Sequence, residues 1–308
     1  VTEALSHKSS DPSKTSRIVL LPLSNCVTIP LLFQATAANP AVVVDCYIKN
    51  AETWTPTDWG WQTRVEQRTV FNIDHHAQDQ RFFRQISSGH LAIKYLQAHG
   101  VLPDGVPALI NHTDCDSILS AAILTGLLLP EAKFGNAVLA ADHTGEPNSI
   151  ADLLQALDPM RDVEFSLRNL NLLLQEAALE EAAIKLVEKR ARERAFASWL
   201  VGAGRFRLIG SVAVAKLSAE ESIASEFLPG LLPAARIIIA ASPMPNGKWE
   251  TKVRLGSAAK MDETLFSVPI SRFEPAFGGR WNAGSTKRSG GSEVDPFVFA
   301  EQLAEELP

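Results

Sequence analysis

The chain has 308 residues and a mass of 33.4 kDa; with 46% hydrophobic and 21% charged residues it carries apolar material for two modest domains or one large one, which excludes a disordered chain. Lys and Arg number 29 against 35 Asp and Glu, a formal charge of −6 that argues against a large nucleic-acid footprint, because coating a phosphate backbone takes an excess of cations. Cys26, Cys46 and Cys115 are too few and too scattered for a disulfide framework and form no CxxC pair, which points to a reduced, cytoplasmic protein.

Residues 1–17 are polar and Ser/Thr-rich, a leader without the apolar centre of a signal peptide. The apolar run at 18–33 is broken by Pro22 and Pro30 and is short for a membrane span; the segment 17–34 suits a strand plus a helix. Short apolar runs at 41–44, 69–73, 108–110 and 137–141 then read as buried strands, while 86–97 and 117–129 carry helical patterns. This alternation predicts an α/β fold with a parallel, doubly wound sheet. Across 163–200, Leu167, Leu170, Leu174, Ala177, Ile184 and Val187 recur at helical spacing, and Glu181 with Lys185 adds an i,i+4 pair. Strand-like runs follow at 206–209, 212–215, 235–240 and 251–255, then a Gly-rich cationic stretch at 278–291 and a last helix at 296–307. The expected organisation is a leader (1–17), an α/β domain (18–160), a helical connector (161–200) and a smaller α/β domain (201–308).

The informative feature is where the acids and histidines fall. Asp45 ends the first apolar run and Asp74-His75-His76 the second; His112, Asp114 and Asp116 follow the third, and Asp142-His143 the fourth. In a doubly wound sheet the strand C-termini share one edge, where ligands bind, so four such clusters would converge. One strand-end Asp says little, since most are helix N-caps or turn formers, and Asp116 before Ser117 fits that description. His76 alone reads equally well as a hydrogen-bonded structural histidine. Several carboxylates in one crevice, however, repel unless cations neutralise them. In an extended 112–116 segment, His112, Asp114 and Asp116 project to the same side and Cys115 turns away. Carboxylates mixed with imidazole suit Mn or Mg rather than a thiolate-bound metal. Two ions about 3.5–4 Å apart, bridged by one carboxylate, would activate water and clamp a phosphoryl group.

These residues resemble the motifs of the DHH phosphoesterase superfamily, whose name-giving triplet stands here as Asp74-His75-His76. The family's alternating-acid motif is matched by His112-Thr113-Asp114-Cys115-Asp116, with His112 in place of the first acid; Asp45 matches the second motif and Asp142 the fourth. The order departs from the family's, because the alternating motif follows the triplet instead of preceding it. The segment 17–34 is a candidate for the place of the first family strand. Gly278-Gly279-Arg280-Trp281-Asn282-Ala283-Gly284 is similar to the GGGH-x-x-AAG signature of the DHH-associated substrate domain, with Arg280-Trp281 where the histidine is expected. The resemblance implies two divalent cations, Mn with Mg or Co as alternatives. His112 and Asp114 would hold one, Asp116, His75 and Asp142 the other, and Asp45 would bridge both. It also puts Asp74 and His76 in the catalytic set, His76 polarising a phosphate oxygen or protonating the leaving oxygen. His143, beside a presumed ligand, reads as a supporting or surface histidine.

Arg280, Lys287 and Arg288 make 278–291 cationic with no acid, a composition suited to cradling phosphate. Arg254 would add a contact, Asn282 and Ser285 neutral donors, and Gly278 and Gly279 close backbone approach; Arg280 can grip phosphate and Trp281 stack on a base. The expected function is hydrolysis of short oligonucleotides or small nucleoside phosphates by a metal-activated water. Two alternatives stay open: a cyclic-dinucleotide or pyrophosphate/polyphosphate hydrolase, and a nucleotide-binding protein without activity. The partner is a small phosphate compound; neither long duplex nor membrane is expected.

Overall fold

A computed structural model describes residues 17–24, 26–76, 81, 86–221 and 223–307; apart from Arg17, the polar leader lies outside the described residues. The described residues of 1–75, 86–138 and 153–180 form one compact unit, and those of 76–85, 139–152 and 181–308 a second. Both are α/β, each on a six-stranded mixed sheet.

The chain enters through β1 (Ile18–Leu20), α1 (Ile29–Ala35), β2 (Ala41–Val44), β3 (Thr55–Thr57), β4 (Gly60–Val65) and β5 (Arg68–Ile73). It continues through α2 (Ser88–His99), β6 (Ala108–Ile110), α3 (Cys115–Leu124), α4 (Ala132–Leu139), α5 (Ser149–Leu157) and α6 (Val163–Leu174). The first sheet runs β1-β6-β2-β5-β4-β3. Its first four strands are parallel, and β4 and β3 continue it antiparallel from β5. β2 and β6, the two interior strands flanked by parallel neighbours on both sides, are apolar and buried throughout because both faces are covered. Val43, Val70 and Leu109 pack with Leu32 of α1 and with Ile48. Val42, Val44, Ala108 and Ile110, which alternate with them, are buried as well, and α2 and α3 pack on each other and on β5, β6 and β2. Val44 pairs with Ile73, so Asp45 and Asp74 leave neighbouring strand ends together.

The second unit holds α7 (Glu181–Gly202), β7 (Arg207–Ile209), β8 (Val212–Lys216), α8 (Leu228–Leu231), β9 (Ile237–Pro243) and β10 (Trp249–Leu255). It closes with α9 (Ile270–Phe273), β11 (Gly278–Gly279), β12 (Ala283–Ser285) and α10 (Pro296–Glu306). Its sheet runs β11-β12-β10-β9-β8-β7, and β8 with β9 is its parallel pair. Period-two alternation divides the core: Val212, Val214, Ile237, Ile239 and Val253 pack with Phe299, Ala300 and Leu303 of α10. Ala213, Ala215, Ile238 and Ala240 pack instead with Leu200 of α7 and Leu228 of α8. The small residues on this second face leave room for a close helix.

Two expectations are corrected. The run 137–141 is no strand: α4 spans Ala132–Leu139 and passes into a π-helical turn, Ala140–Thr144. Phe134, Ala137, Val138 and Ala141 are buried at spacings of three and four, a helical stripe whose second half alone looks like a short strand. The segment 112–116 is not extended throughout either. Asp114 is the N-cap of α3, accepting from the Ser117 backbone N–H at 3.0 Å, and Asp116 lies in the first helical turn. Capping therefore falls to Asp114, while Asp116 is left for another task. Among the described residues no helix is long and apolar enough to cross a membrane.

Replacing Phe299 by Ala should destabilise the second unit by about 3–5 kcal/mol, because the fully buried ring leaves a cavity between α10 and the sheet. The adjacent Val298 is 46% exposed; its replacement by Ala should change stability by less than about 0.5 kcal/mol. Denaturant melts of the two variants check the contrast.

Candidate metal centre and cationic pocket

The first unit gathers charge at the C-terminal edge of its parallel strands. Asp45 follows β2, Asp74 and His75 follow β5, and all three are buried, as is Asp116 in the first turn of α3. Ser88, at the start of α2, ties them together. Its hydroxyl donates to Asp45 Oδ1 at 2.9 Å, and its backbone N–H donates to Asp116 Oδ2 at 2.8 Å. His75 Nδ1 lies 3.1 Å from both of those Ser88 atoms, 3.3 Å from Asp116 Oδ2 and 3.8 Å from Asp45 Oδ1. The Gly89 N–H donates to Asp116 Oδ1 at 2.7 Å, so the Asp116 carboxylate neutralises the N-terminus of α2. Ser117 donates its hydroxyl to Asp45 Oδ2 at 2.7 Å. Asp45 itself has φ 51, a left-handed conformation that a non-glycine residue holds at a cost of about 1–3 kcal/mol.

The loop between β6 and α3 is pinned from behind. Thr113 N donates to Asp158 Oδ1 at 2.8 Å, and Arg161 donates to the Asn111 carbonyl at 2.9 Å and the Leu21 carbonyl at 2.8 Å. These bonds hold His112 and Asp114, both half-buried, after the strand end. Burial pushes the Cys46 thiol up, and the charges of Asp45 and Asp74 push it further; the Asn111 N–H opposes them. Cys46 Sγ accordingly donates to Asn111 Oδ1 at 3.0 Å.

These residues fit a hard divalent cation. Buried carboxylates and an imidazole are its ordinary donors. The Ser88 and Ser117 hydroxyls then play the part of outer partners that fix the orientation of ligands.

In the second unit Asp142 and His143 lie on the π-helical turn, with ligand-type atoms within 4.8 Å of each other. Asp142 is buried; its backbone carbonyl accepts from Arg254 Nη2 at 2.7 Å, and its Oδ1 lies 3.5 Å from Arg280 Nη2. The turn is gripped by the chain before α8. Gly145 ends it at φ +68, and a Cβ there would come within 2.1 Å of the Glu226 carbonyl. Arg280 Nη1 hydrogen-bonds His76 Nε2, so the arginine donates and that ring nitrogen accepts. Of the Asp-His-His triplet, Asp74 and His75 are counted in the first unit and His76 in the second.

A cavity of about 280 Å³ in the second unit is lined by Asp142, His143, Thr144, Arg254, Leu255, Gly256, Ser257, Met261, Trp281 and Asn282. Trp281 is buried, its ring stacked at 5.6 Å and 29° on His143. Gly278 and Gly279 pair with β12, and a Cβ on Gly279 would lie 2.3 Å from Gly284 Cα, so this second glycine answers to hairpin packing. Ser285 lies on β12, while Arg288 is exposed on the following turn. Burial lowers the pKa of Arg254, while Glu226 and Asp142 support its charge. Burial alone would raise Glu226, but Arg254 and Arg190 together hold its carboxyl below the ordinary value of 4.5.

Of the residues expected from sequence, Asp45, His75 and Asp116 meet in the first unit; Asp142, Arg254, Arg280, Trp281 and Asn282 meet in the second. Ser88, Ser117, Asp158 and Glu226 were not among them. The Ser87-Ser88-Gly89 start of α2 is a legible helix N-terminus, but nothing in one sequence says which carboxylate it faces.

No protein-family model matches the sequence, and no curated protein matches it as a relative. Among solved structures, the chain is similar to the pGpG-specific phosphodiesterase PggH from Vibrio cholerae, with 13% identity, 70% of this chain and 86% of that one covered, and a TM-score of 0.40. An uncharacterized protein from Helicobacter pylori G27 shares 13% identity over 70% of this chain and 77% of its own, with a TM-score of 0.21.

The depressed carboxyl of Glu226 has a pH consequence. Its stabilising charge is fully present above the ordinary glutamate value of 4.5 and is lost as pH falls through the lower folded value. Stability should therefore fall across that acid window more steeply in the wild type than in Glu226→Gln, as thermal melts at graded pH would read.

Proposed function

We propose that the chain is a divalent-metal-dependent phosphoester hydrolase of the DHH type, acting on small nucleoside phosphates or short oligonucleotides. The observation that carries this reading is the buried group of Asp45, Asp116 and His75, oriented by Ser88 and Ser117 and with Asp45 held in a left-handed backbone conformation. Nothing in a stable core requires two carboxylates and an imidazole side by side without water; a bound cation does. Asp45, His75 and Asp116 would hold it, with His112 and Asp114 completing the ligands, and Mn is the first choice of ion. Bound there, the cations would lower the pKa of water and offset charge developing on a phosphoryl group.

The protein's own groups divide the remaining work. Arg280 and Arg254 supply positive charge to an anionic substrate, Arg280 with a geometry suited to two phosphate oxygens. His76, whose Nε2 accepts from Arg280, carries its proton at Nδ1 when neutral and offers that N–H to a phosphate oxygen. Asp74, buried at the head of the triplet, adds negative charge beside the ligands. In the second unit Lys287, 3.5 Å from Glu250, and the exposed Arg288 would act on substrate only by long-range attraction.

Asp45→Asn should lose Mn, measured by elemental analysis of the dialysed protein, and lower hydrolysis of a phosphodiester by roughly a hundredfold or more. Ser88→Ala keeps every ligand and should weaken Mn binding by about 10–100-fold. Undiminished hydrolysis by Asp45→Asn would refute the assignment.

A further inference from the structure

A non-glycine residue keeps a left-handed backbone only where its surroundings fix the chain around it. Asp45 has φ 51, and its N–H donates to the Ile73 carbonyl at 3.0 Å. The next residue, Cys46, is 2% exposed and packs with Leu32 of α1, Val43 and Leu109. It is reached from both neighbouring strands. From β5, Asn72 Nδ2 donates to the Cys46 carbonyl at 3.0 Å. From the end of β6, the Asn111 N–H donates to Cys46 Sγ at 3.1 Å, and the thiol donates back to Asn111 Oδ1 at 3.0 Å. Asn111 is fixed in turn: its Nδ2 donates to the Ser24 carbonyl at 2.8 Å, and its own carbonyl accepts from Arg161 at 2.9 Å.

The positions of these residues in the chain matter as much as their bonds. Cys46 directly follows Asp45, Asn72 stands two residues before Asp74, and Asn111 directly precedes His112. One residue thus ties together the neighbouring strand ends from which the acids and histidines of the first unit leave. Polar groups are a costly way to fill such a place. Asn72 and Asn111 are buried, and Asn72 Oδ1 has no hydrogen-bond partner among the described residues, a loss of about 1–3 kcal/mol. Apolar side chains would pack there without that loss. They would also leave the turn after β2 free to relax out of the left-handed region, and the Asp45 carboxylate would move with it.

We propose that Cys46, clasped by Asn72 and Asn111, is a positioning residue of the candidate metal centre: it keeps Asp45 in its left-handed conformation and fixes its spacing from His112. The inference rests on the metal-dependent reading above. Cys46 acts through the backbone of Asp45, its sulfur being engaged with Asn111 in both directions.

The test is Mn binding to the full chain, followed by calorimetry and by the electron paramagnetic resonance spectrum of the bound ion, beside a thermal melt of each metal-free variant. Cys46→Ala removes the sulfur; it should weaken Mn binding by about 10–100-fold and change the spectrum. Cys46→Ser, which keeps a donor and an acceptor at that position, should recover most of the affinity and the wild-type spectrum. Leu32→Ala opens a cavity in the same apolar core without removing a bond of the clasp. It should lower the melting temperature at least as far as Cys46→Ala does and leave Mn affinity unchanged. Should Cys46→Ala fail to fold, Asn72→Ser, which removes the other bond to Cys46, is read in its place. Wild-type affinity in folded Cys46→Ala or Asn72→Ser would overturn the proposal. So would Cys46→Ser binding no better than Cys46→Ala, or an equal loss in Leu32→Ala, since the effect would then follow stability alone. A wild type that binds no Mn sinks the metal centre itself, whereas Mn binding that ignores the clasp variants sinks the clasp alone.

Discussion

Ser88 is the point on which the first unit's site depends. Through one backbone N–H and one hydroxyl it reaches Asp116 and Asp45, and His75 Nδ1 lies within 3.1 Å of both groups. Those partners come from α3, the end of β2 and the end of β5, so one residue at the start of α2 brings three elements to a common point. The arrangement is costly in isolation: like charges are close together and buried, and hydroxyls and two helix amides offset that cost in part. Hydrogen bonds from Ser88, Gly89 and Ser117 fix where each carboxylate oxygen sits, which is what a ligand set needs before a cation arrives.

The second unit answers a different constraint, a guanidinium kept dry. Arg254 is 7% exposed and is compensated from two sides, by the Asp142 carbonyl it bonds and by the charge of Glu226. Glu226 bonds Arg190, which reaches Asp152, which in turn bonds Arg194. This alternation of sign runs from the cavity to α7 and explains why so long a polar helix is stable: its inward arginines are structural. The same chain segment meets Gly145 at the end of the π-helical turn, so the posture of Asp142 and the charge of Arg254 are set by one piece of backbone.

Much of this was legible in the residues, and the failures have physical causes. The runs at 41–44 and 108–110 were readable as buried strands because uniform apolarity over three or four residues suits a sheet covered on both faces, and 69–73 because Val70, Phe71 and Ile73 are β-formers. Asp142 was placed at a strand end, whereas it lies on a π-helical turn. A run of alanines, leucine and valine at 137–141 has no period of its own, and only Phe134 before it shows the helix. Asp114 and Asp116 were read by strand alternation although α3 begins between them, and a cap and a first-turn acid look alike until the helix start is known. Ser88 and Glu226 were out of reach, since each matters through a partner far away in the chain, and a single sequence carries no record of such pairings.

The order of the acid clusters along the chain differs from their order in the sheet. β6, which leads into His112–Asp116, comes after Asp74-His75-His76 in sequence, yet it lies between β1 and β2, next to the strand that ends in Asp45. The spatial order β6-β2-β5 therefore sets the three clusters on consecutive strand ends, whatever order the chain visits them in. All three run parallel, so their C-termini share one edge. What such a site demands is convergence of strand ends and a helix N-terminus to receive the carboxylate between them. β1, entering at the sheet edge beside β6, shows that the apolar run before Pro22 is what makes room for this: it covers β6 and lets that strand be interior and apolar.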